Sequence, residues 1–499
     1  MGLVEGERAL ALGSLAHRCD IIILMPTFRV ITFGCKVNQC DSAGMTQELT
    51  ARGWSAAPSD AVPDLMVVNT CTVTKRADQQ ARQTVRRLAR EHPGLSIWVT
   101  GCYAQRAPHE LAALPEVQAI FGNQEKARLA HMLKNFQDNP LYDPSFPSPL
   151  LGESWGGGEN PPPPSPLPPG EGEEGISAKK SGVWQQVRDF SEATPFSPWQ
   201  IQPIPGQTRA RLKIQEGCSH RCSYCIVPKV RGPRRSLEPE AVLAAMQELA
   251  GLGYREVVLT GVDLGQYGLD HSPPSSLAAL VQRITKITKM PFRVRLSSLE
   301  PQMVTPELLD TLAAWPNFCP HFHLPLQSGA APVLTAMGRP YGPEEFRDLV
   351  HEITRRFPGV GLGLDVLVGF PGETDSDFEA TRVLVDELPV TYLHVFPYSP
   401  RPGTLAAALR PLPGGVIQER ARVMRELGRQ KKQQFMEAQL GQVREVLVEG
   451  PTPQPGYLQG LSDHYLRVVF PGPADWRNRL IKVRLLARQG EVLRGEVVG

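Results

Sequence analysis

Gly217-Cys218-Ser219-His220-Arg221-Cys222-Ser223-Tyr224-Cys225 decides how the rest of the chain is read. It is a three-cysteine CxxxCxxC run with no fourth cysteine near it. Three thiolates hold three corners of a four-iron cluster and leave one iron open to an exchangeable ligand. S-adenosylmethionine (SAM) on that open iron turns the cluster's electron into a carbon radical, the protein supplying position and electrostatics. A zinc site is the alternative, with His220 or a distant residue as fourth ligand. Zinc sites usually pair cysteines as CxxC or with histidine, which this spacing fits poorly. A disulfide fits worse, because the chain has nine cysteines, an odd number, and no secretory signal.

Working outward, the cradle follows a strand-like stretch, Arg211–Gln215. Five more candidate strands come after it: Glu256–Thr260, Phe292–Ser297, His321–Leu326, Gly363–Val368 and Tyr392–Phe396. Helical stretches such as Pro239–Leu252 and Pro343–Phe357 lie between them. Strands alternating with helices predict parallel strands in a barrel or part of one, with chemistry at the carboxyl ends. Polar and glycine-rich loops fall at those ends: Thr260-Gly261-Val262-Asp263, Ser297-Ser298-Leu299-Glu300-Pro301, Leu326-Gln327-Ser328-Gly329 and Val368-Gly369-Phe370-Pro371-Gly372. Their shared placement suits a nucleoside-bearing cofactor, although each alone marks only a turn.

Toward the N-terminus the same alternation recurs. Phe28–Phe33, Leu65–Asn69 and Leu95–Val99 read as strands, with a helix over Ala77–Arg90. Cys35, Cys71 and Cys102 each follow one of these strands. In an open parallel sheet that edge is where ligands bind, so three thiolates converge there on one metal cluster. The alternative is that small thiols pack well at strand ends. Cys40 breaks the pattern and reads as a bystander or an oxidation-sensitive neighbour. Cys19 and Cys319 read as structural or incidental.

The chain's 499 residues suit roughly three domains. Residues 1–24 are expected to be a disordered extension, or to lie upstream of a true start at Met25. An N-terminal cluster domain spans 25–138, a Pro/Gly-rich linker 139–205, the cradle-bearing core 206–416, a connecting helix 417–440 and a small all-β barrel 441–499. Pro161-Pro162-Pro163-Pro164 lies in that linker and builds no core. A net charge of +2 dictates no partner by itself. Nucleic-acid contact must then come from local patches: Arg82, Arg86, Arg87 and Arg90; Arg231, Arg234 and Arg235; and, in the barrel that follows the charged helix Ile417–Gln439, Arg467, Arg477, Arg479, Lys482, Arg484 and Arg488 with Tyr457, Tyr465 and Trp476. A solvated charged face is the alternative there. No apolar run approaches the roughly 20 residues that span a bilayer, so no membrane contact and a cytoplasmic location are expected.

The combination of the Cys35/Cys71/Cys102 set with CxxxCxxC resembles the radical-SAM methylthiotransferases over about 28–136 and 208–499. The resemblance implies an α/β chain: a Rossmann-like N-terminal parallel sheet, a radical-SAM partial (βα)6 barrel and a C-terminal TRAM RNA-binding barrel. It implies two 4Fe-4S clusters, a SAM-binding one on Cys218, Cys222 and Cys225 and an auxiliary one on Cys35, Cys71 and Cys102. SAM contacts are implied for Thr260, Gly261, Ser298, Glu300 and Gln327. SAM is then used twice, as the source of a radical that takes hydrogen from an adenine C2 and as methyl donor to the transferred sulfur.

Gly34-Cys35-Lys36-Val37-Asn38-Gln39 resembles the bacterial group that converts N6-threonylcarbamoyladenosine beside the tRNA anticodon to its 2-methylthio form. The groups acting on isopentenyladenosine or on a ribosomal-protein aspartate show GCQMN and GCPKN there. The implied partners are tRNA and an electron donor such as flavodoxin or ferredoxin, with the chain a monomer or weak dimer. From another class, a non-enzymatic metal-cluster RNA-binding protein would share the basic patches.

Overall fold

The computed structural model describes residues 25–137, 183–190, 196, 207–287 and 290–498. The expected N-terminal extension and the polyproline run lie outside the described residues.

Strands β1 (Thr27–Thr32), β2 (Ser55–Ala56), β3 (Leu65–Thr70), β4 (Ser96–Gly101) and β5 (Ala119–Phe121) form a parallel sheet ordered β2-β1-β3-β4-β5. Every residue of β3 is buried, as a central parallel strand covered on both faces requires. The two-residue alternation sends Met66, Val68, Ile97 and Val99 to one face, against Ala81, Val85 and Leu88 of helix α2 (Lys75–Glu91). Leu65, Val67 and Trp98 go to the other, against Met45 and Leu49 of helix α1 (Lys36–Ala51). A sixth strand, β6 (Trp184–Gln186), adds to β5 in parallel, and the Trp184 ring packs 5.8 Å from Trp98. It falls inside the stretch read as linker, because a three-residue strand after a long proline-rich run has too little length to show a period.

The central domain carries six parallel strands in two abutting sheets. The first is β11 (Arg293–Leu296), β10 (Glu256–Thr260) and β7 (Arg209–Lys213); the second is β12 (His321–Gln327), β13 (Gly361–Val368) and β14 (Tyr392–Pro397). A two-residue antiparallel pair, β8 (Gln215–Glu216) and β9 (Arg235–Ser236), flanks the cradle. The seam between the two sheets is joined by Leu299 N–H donating to His323 O at 3.0 Å. Leu212, Leu259, Leu296, Leu324, Leu364 and Leu393 face the surrounding helices. The alternate positions therefore line a lumen, and there the residues are polar: Arg209, Arg211 and Lys213 on β7, Glu256 on β10, Arg293 and Arg295 on β11, His321 and His323 on β12, Asp365 on β13, Tyr392 and His394 on β14.

The C-terminal strands β15 (Val443–Pro451), β16 (Tyr457–Ser462), β17 (Arg467–Pro471), β18 (Leu480–Gln489) and β19 (Val492–Val497) close into a barrel ordered β15-β16-β17-β19-β18. Its β16–β17 turn closes the amino end of the lumen. Arg293 donates to Glu445 O (2.7 Å) and Leu461 O (2.8 Å), and Arg295 to Asp463 O (2.8 Å) and Ser462 O (3.1 Å). Tyr465 was expected to be an RNA-stacking surface; instead its ring lies 4.5 Å from His321 and 6.0 Å from Tyr392. Arg420, read as part of a charged helix, is buried and paired with Glu373 at 2.5 Å and Asp375 at 2.6 Å.

A candidate two-centre site on the open side of the half-barrel

The cradle loop leaves β7 through the short β8 segment. Gly217 has φ +70°, and a Cβ there would lie 1.9 Å from Pro233 O, so only glycine lets the loop pass. Cys218 N–H donates to Gly232 O (3.1 Å), Cys225 N–H to Cys222 O (3.1 Å) and Ser223 N–H to Met337 O (2.9 Å). Gln215 ties the base of the loop to the next one: its Nε2 donates to Gly217 O (2.8 Å), and its Oε1 accepts from Asp263 N–H (2.8 Å).

Charged groups surround the thiols. Arg339 Nη1 lies 3.3 Å from Cys222 Sγ, and Arg339 also pairs with Glu300. Asp263 Oδ2 is 3.8 Å from Cys218 Sγ and 3.0 Å from His220 Nε2. Burial pushes Cys225 up to about 12 and raises Cys218 and Cys222 as well. Thiols raised in this way become ligands only when a metal takes the proton's place.

The spacing also separates the two metal readings. Ligands on one tetrahedral zinc stand about 3.8 Å apart, given Zn–S near 2.3 Å. Among the described residues, no three thiol, imidazole or carboxylate ligand atoms of the cradle lie within 4.8 Å of one another. His220 is turned to Asp263 and Gln302. A cluster of several irons spaces its thiolates more widely than one zinc does.

Cys35, Cys71 and Cys102 stand just after β1, β3 and β4, as the strand pattern predicts. Gly34, at φ +97°, brings two of these loops together: a Cβ there would lie 2.8 Å from Cys71 Cβ and 3.0 Å from its sulfur. Burial raises Cys71 to about 12, with the neighbouring Cys102 and Cys35 adding to it, while Cys35 itself is exposed. Cys40 is buried, 3.9 Å from Arg211 O, and burial pushes its thiol up to about 12, which disfavours the thiolate.

The N-terminal sheet covers the open side of the half-barrel. On one flank Lys213 Nζ of β7 meets Asp41 Oδ1 of α1 at 2.7 Å. On the other, Arg401, beyond β14, reaches Asp78 Oδ2 at 2.6 Å, and Lys75 N–H donates to Ser399 at 2.9 Å. The cradle is followed by the helix Val227–Arg231, whose N-cap Ile226 and Val230 pack on Cys102. Its Arg231 Nε lies 3.4 Å from Cys102 Sγ, Nη1 is 2.8 Å from Asp41 and 3.0 Å from Glu216, and Nη2 donates to Asn38. Arg231 was expected to be a phosphate contact; it is 3% exposed and fully engaged. Burial alone would raise Asp41, but Lys126, Lys213 and Arg231 hold its carboxyl well below the usual range. Three cations thus face two carboxylates, Asp41 and Glu216. The remaining positive charge sits beside the Cys35/Cys71/Cys102 set, the environment an anionic thiolate cluster requires.

Of the residues read as SAM contacts, Glu300 is brought against the cradle through Arg339. Thr260, Gly261, Ser298 and Gln327 stand on the same carboxyl rim, and among the described residues Ser298 and Gln327 make no hydrogen bond to the cradle. Sequence reasoning missed Arg339 as a cradle residue, and it missed the Asp41–Lys126–Lys213–Glu216 network. Neither has a local signature.

A three-thiol cradle on the rim of a parallel half-barrel is the arrangement of a radical-SAM enzyme. Residues 212–385 match the radical SAM superfamily, and residues 27–122 match a family described as uncharacterized protein family UPF0004. The chain is 32% identical over 466 residues to the threonylcarbamoyladenosine tRNA methylthiotransferase MtaB of Bacillus subtilis (strain 168), covering 93% of this chain and 94% of that one. It is 31% identical to the MtaB of Thermotoga maritima (94% and 96% covered). It is also 31% identical to the tRNA-2-methylthio-N(6)-dimethylallyladenosine synthase of Moorella thermoacetica (95% and 98% covered). The chain belongs to the tRNA methylthiotransferase family of radical-SAM enzymes. Membership implies a SAM-binding 4Fe-4S cluster. Among solved structures, the radical SAM methyltransferase TsrM of Kitasatospora setae with tryptophan and a SAM analogue shares the fold (TM-score 0.52, 17% identity, 75% of each chain). No helix among the described residues is long and apolar enough to cross a membrane.

Proposed function

We propose that this chain transfers a methylthio group to C2 of N6-threonylcarbamoyladenosine at position 37 of tRNA. Cys218, Cys222 and Cys225 hold the SAM-binding cluster, and Cys35, Cys71 and Cys102 hold an auxiliary 4Fe-4S cluster. The observation that carries this reading is the helix that follows the cradle, Val227–Arg231, which packs Val230 on Cys102 and sets Arg231 Nε 3.4 Å from its sulfur. When bound, the clusters and SAM supply the radical, the methyl group and the sulfur. The chain's own residues do the rest. The glycine-shaped loops fix the thiols, Arg339 and Arg231 set the charge beside Cys222 and Cys102, and Thr260, Gly261, Ser298, Glu300 and Gln327 line the SAM rim. The N-terminal sheet shields the lumen's open side from water.

Relatives named for threonylcarbamoyladenosine and for dimethylallyladenosine are about equally similar. The choice of substrate therefore rests on Gly34-Cys35-Lys36-Val37-Asn38-Gln39, which resembles the former group. The exposed cations Arg86, Arg90, Arg467 and Lys482 are the candidate phosphate contacts. A flavodoxin or ferredoxin supplies electrons to a cytoplasmic monomer or weak dimer.

The test is nucleoside mass spectrometry of tRNA from a host lacking its own enzyme, with and without this chain. Appearance of 2-methylthio-N6-threonylcarbamoyladenosine is expected. The isopentenyl analogue would move the substrate, and no product from a cluster-replete protein would refute the tRNA reading.

A further inference from the structure

The amino half of the lumen holds more positive charge than its own carboxylates balance. Arg293 and Arg295 share Glu256, at 2.8 and 3.0 Å, and Arg209 pairs with Glu449 at 2.8 Å. Glu445 is 3.6 Å from Arg293. Asp365, on the far wall, is taken up by His323 at 2.7 Å and His394 at 3.3 Å. Two half-buried cations remain without a carboxylate among the described residues. Arg211 donates only to the Gln207 amide, at 2.8 Å. Lys36 lies over the Tyr465 ring at 5.8 Å, with Arg295 over the same ring at 5.2 Å.

The two are neighbours by construction. Lys36 opens α1, and Cys40, one helical turn on, touches the Arg211 carbonyl. Lys36 therefore projects from the first residue after a cluster cysteine into the lumen, not onto the outer surface. Partly buried cations without a counter-charge are costly unless a ligand supplies one.

On the threonylcarbamoyladenosine reading, the substrate base itself carries a carboxylate into the lumen. We propose that Lys36 and Arg211 bind the carboxylate of the threonyl group on the substrate base, making Lys36 a specificity-determining residue for an acidic N6 substituent over a neutral one. This rests on the threonylcarbamoyladenosine reading above. A single charge-assisted contact on each cation accounts for about ten- to hundredfold in affinity.

Equilibrium dialysis of cluster-replete protein against free N6-threonylcarbamoyladenosine and its methyl ester tests it. The acid is expected to bind about tenfold or more tighter than the ester. That preference should vanish in Lys36→Met and Arg211→Gln and survive in Lys36→Arg. On tRNA carrying threonylcarbamoyladenosine, the loss should fall on KM more than on kcat. Iron is measured in every variant, and because Lys36 adjoins Cys35, Arg211→Gln decides if Lys36→Met loses iron. Equal binding of acid and ester by the unaltered protein overturns the proposal. So does a loss of tRNA affinity in the variants that is the same whether or not the base carries the threonyl group, which would make these cations phosphate contacts. If the unaltered chain modifies only isopentenyladenosine, the function proposed above fails; if it modifies threonylcarbamoyladenosine and the variants do so equally well, only this inference fails.

Discussion

Arg231 Nε lies 3.4 Å from the sulfur of Cys102, although 129 residues separate them and they belong to different domains. The contact joins the helix that follows the cradle to the edge of the N-terminal sheet. Removing the guanidinium leaves Asp41 and Glu216 facing Lys126 and Lys213 alone, two charges against two. Arg231→Met is therefore expected to strip the positive charge beside the Cys35/Cys71/Cys102 set. Iron should fall from about eight per chain toward about four, the content of one four-iron cluster. Thermal unfolding should show a loss of about 3 kcal/mol from the broken buried pairs. Unchanged iron would separate Arg231 from the auxiliary set.

The two thiol sets should fail differently. Cys218→Ala is expected to abolish 5′-deoxyadenosine formation. Cys71→Ala should leave some SAM cleavage and no methylthio product. Chromatography of both products from one anaerobic reaction reads this out, and methylthio product from Cys71→Ala would refute the two-cluster assignment.

Glu256 makes the lumen's closure acid-sensitive. Burial alone would raise its carboxyl, but Arg295 and Arg293 hold it at about 2, against 4.5 ordinarily. A depressed carboxylate stabilises fully above its unfolded value and loses that contribution as pH falls through the folded one. Up to about 3 kcal/mol should therefore disappear between pH 4.5 and 2. Glu256→Gln should lower stability at pH 7 and flatten this part of the acid transition. Denaturant melts across that range measure it.

Exposed arginines and lysines of α2 and of the C-terminal barrel should make tRNA binding salt-dependent. Replacing Arg467 and Lys482 together with glutamine is expected to lower the slope of log affinity against log salt by about 2. Filter binding at several salt concentrations tests this, and an unchanged slope would place the RNA surface elsewhere.

Much of the fold was legible because its signals are local. The residues of β10 and β12 carry continuous apolar or alternating runs bounded by glycine and proline, so the strands fall within a residue or two of where their pattern puts them. β6 was not legible, since three residues hold no period and pairing with β5 decides its state. Tyr465 and Arg231 were read as RNA-facing, and Arg420 as part of a charged helix, because basic side chains usually face solvent and an aromatic ring among them offers a stacking surface. Each is instead buried or packed by a partner from a distant segment: His321 for Tyr465, Asp41 and Glu216 for Arg231, Glu373 for Arg420.

The sequence by itself determined the cysteine spacings, the strand–helix alternation that sets Cys35, Cys71 and Cys102 at one sheet edge, and the glycines that shape Gly34 and Gly217. These depend on φ/ψ limits and on side-chain periods within a few residues. Only the tertiary structure decided that Arg231 reaches Cys102 and Arg339 reaches Cys222, that the β16–β17 turn closes the amino end, and that among the described residues Lys36 and Arg211 are left without a carboxylate. Charge balance in a buried space is a property of everything that encloses it, and segments hundreds of residues apart in the chain enclose this one.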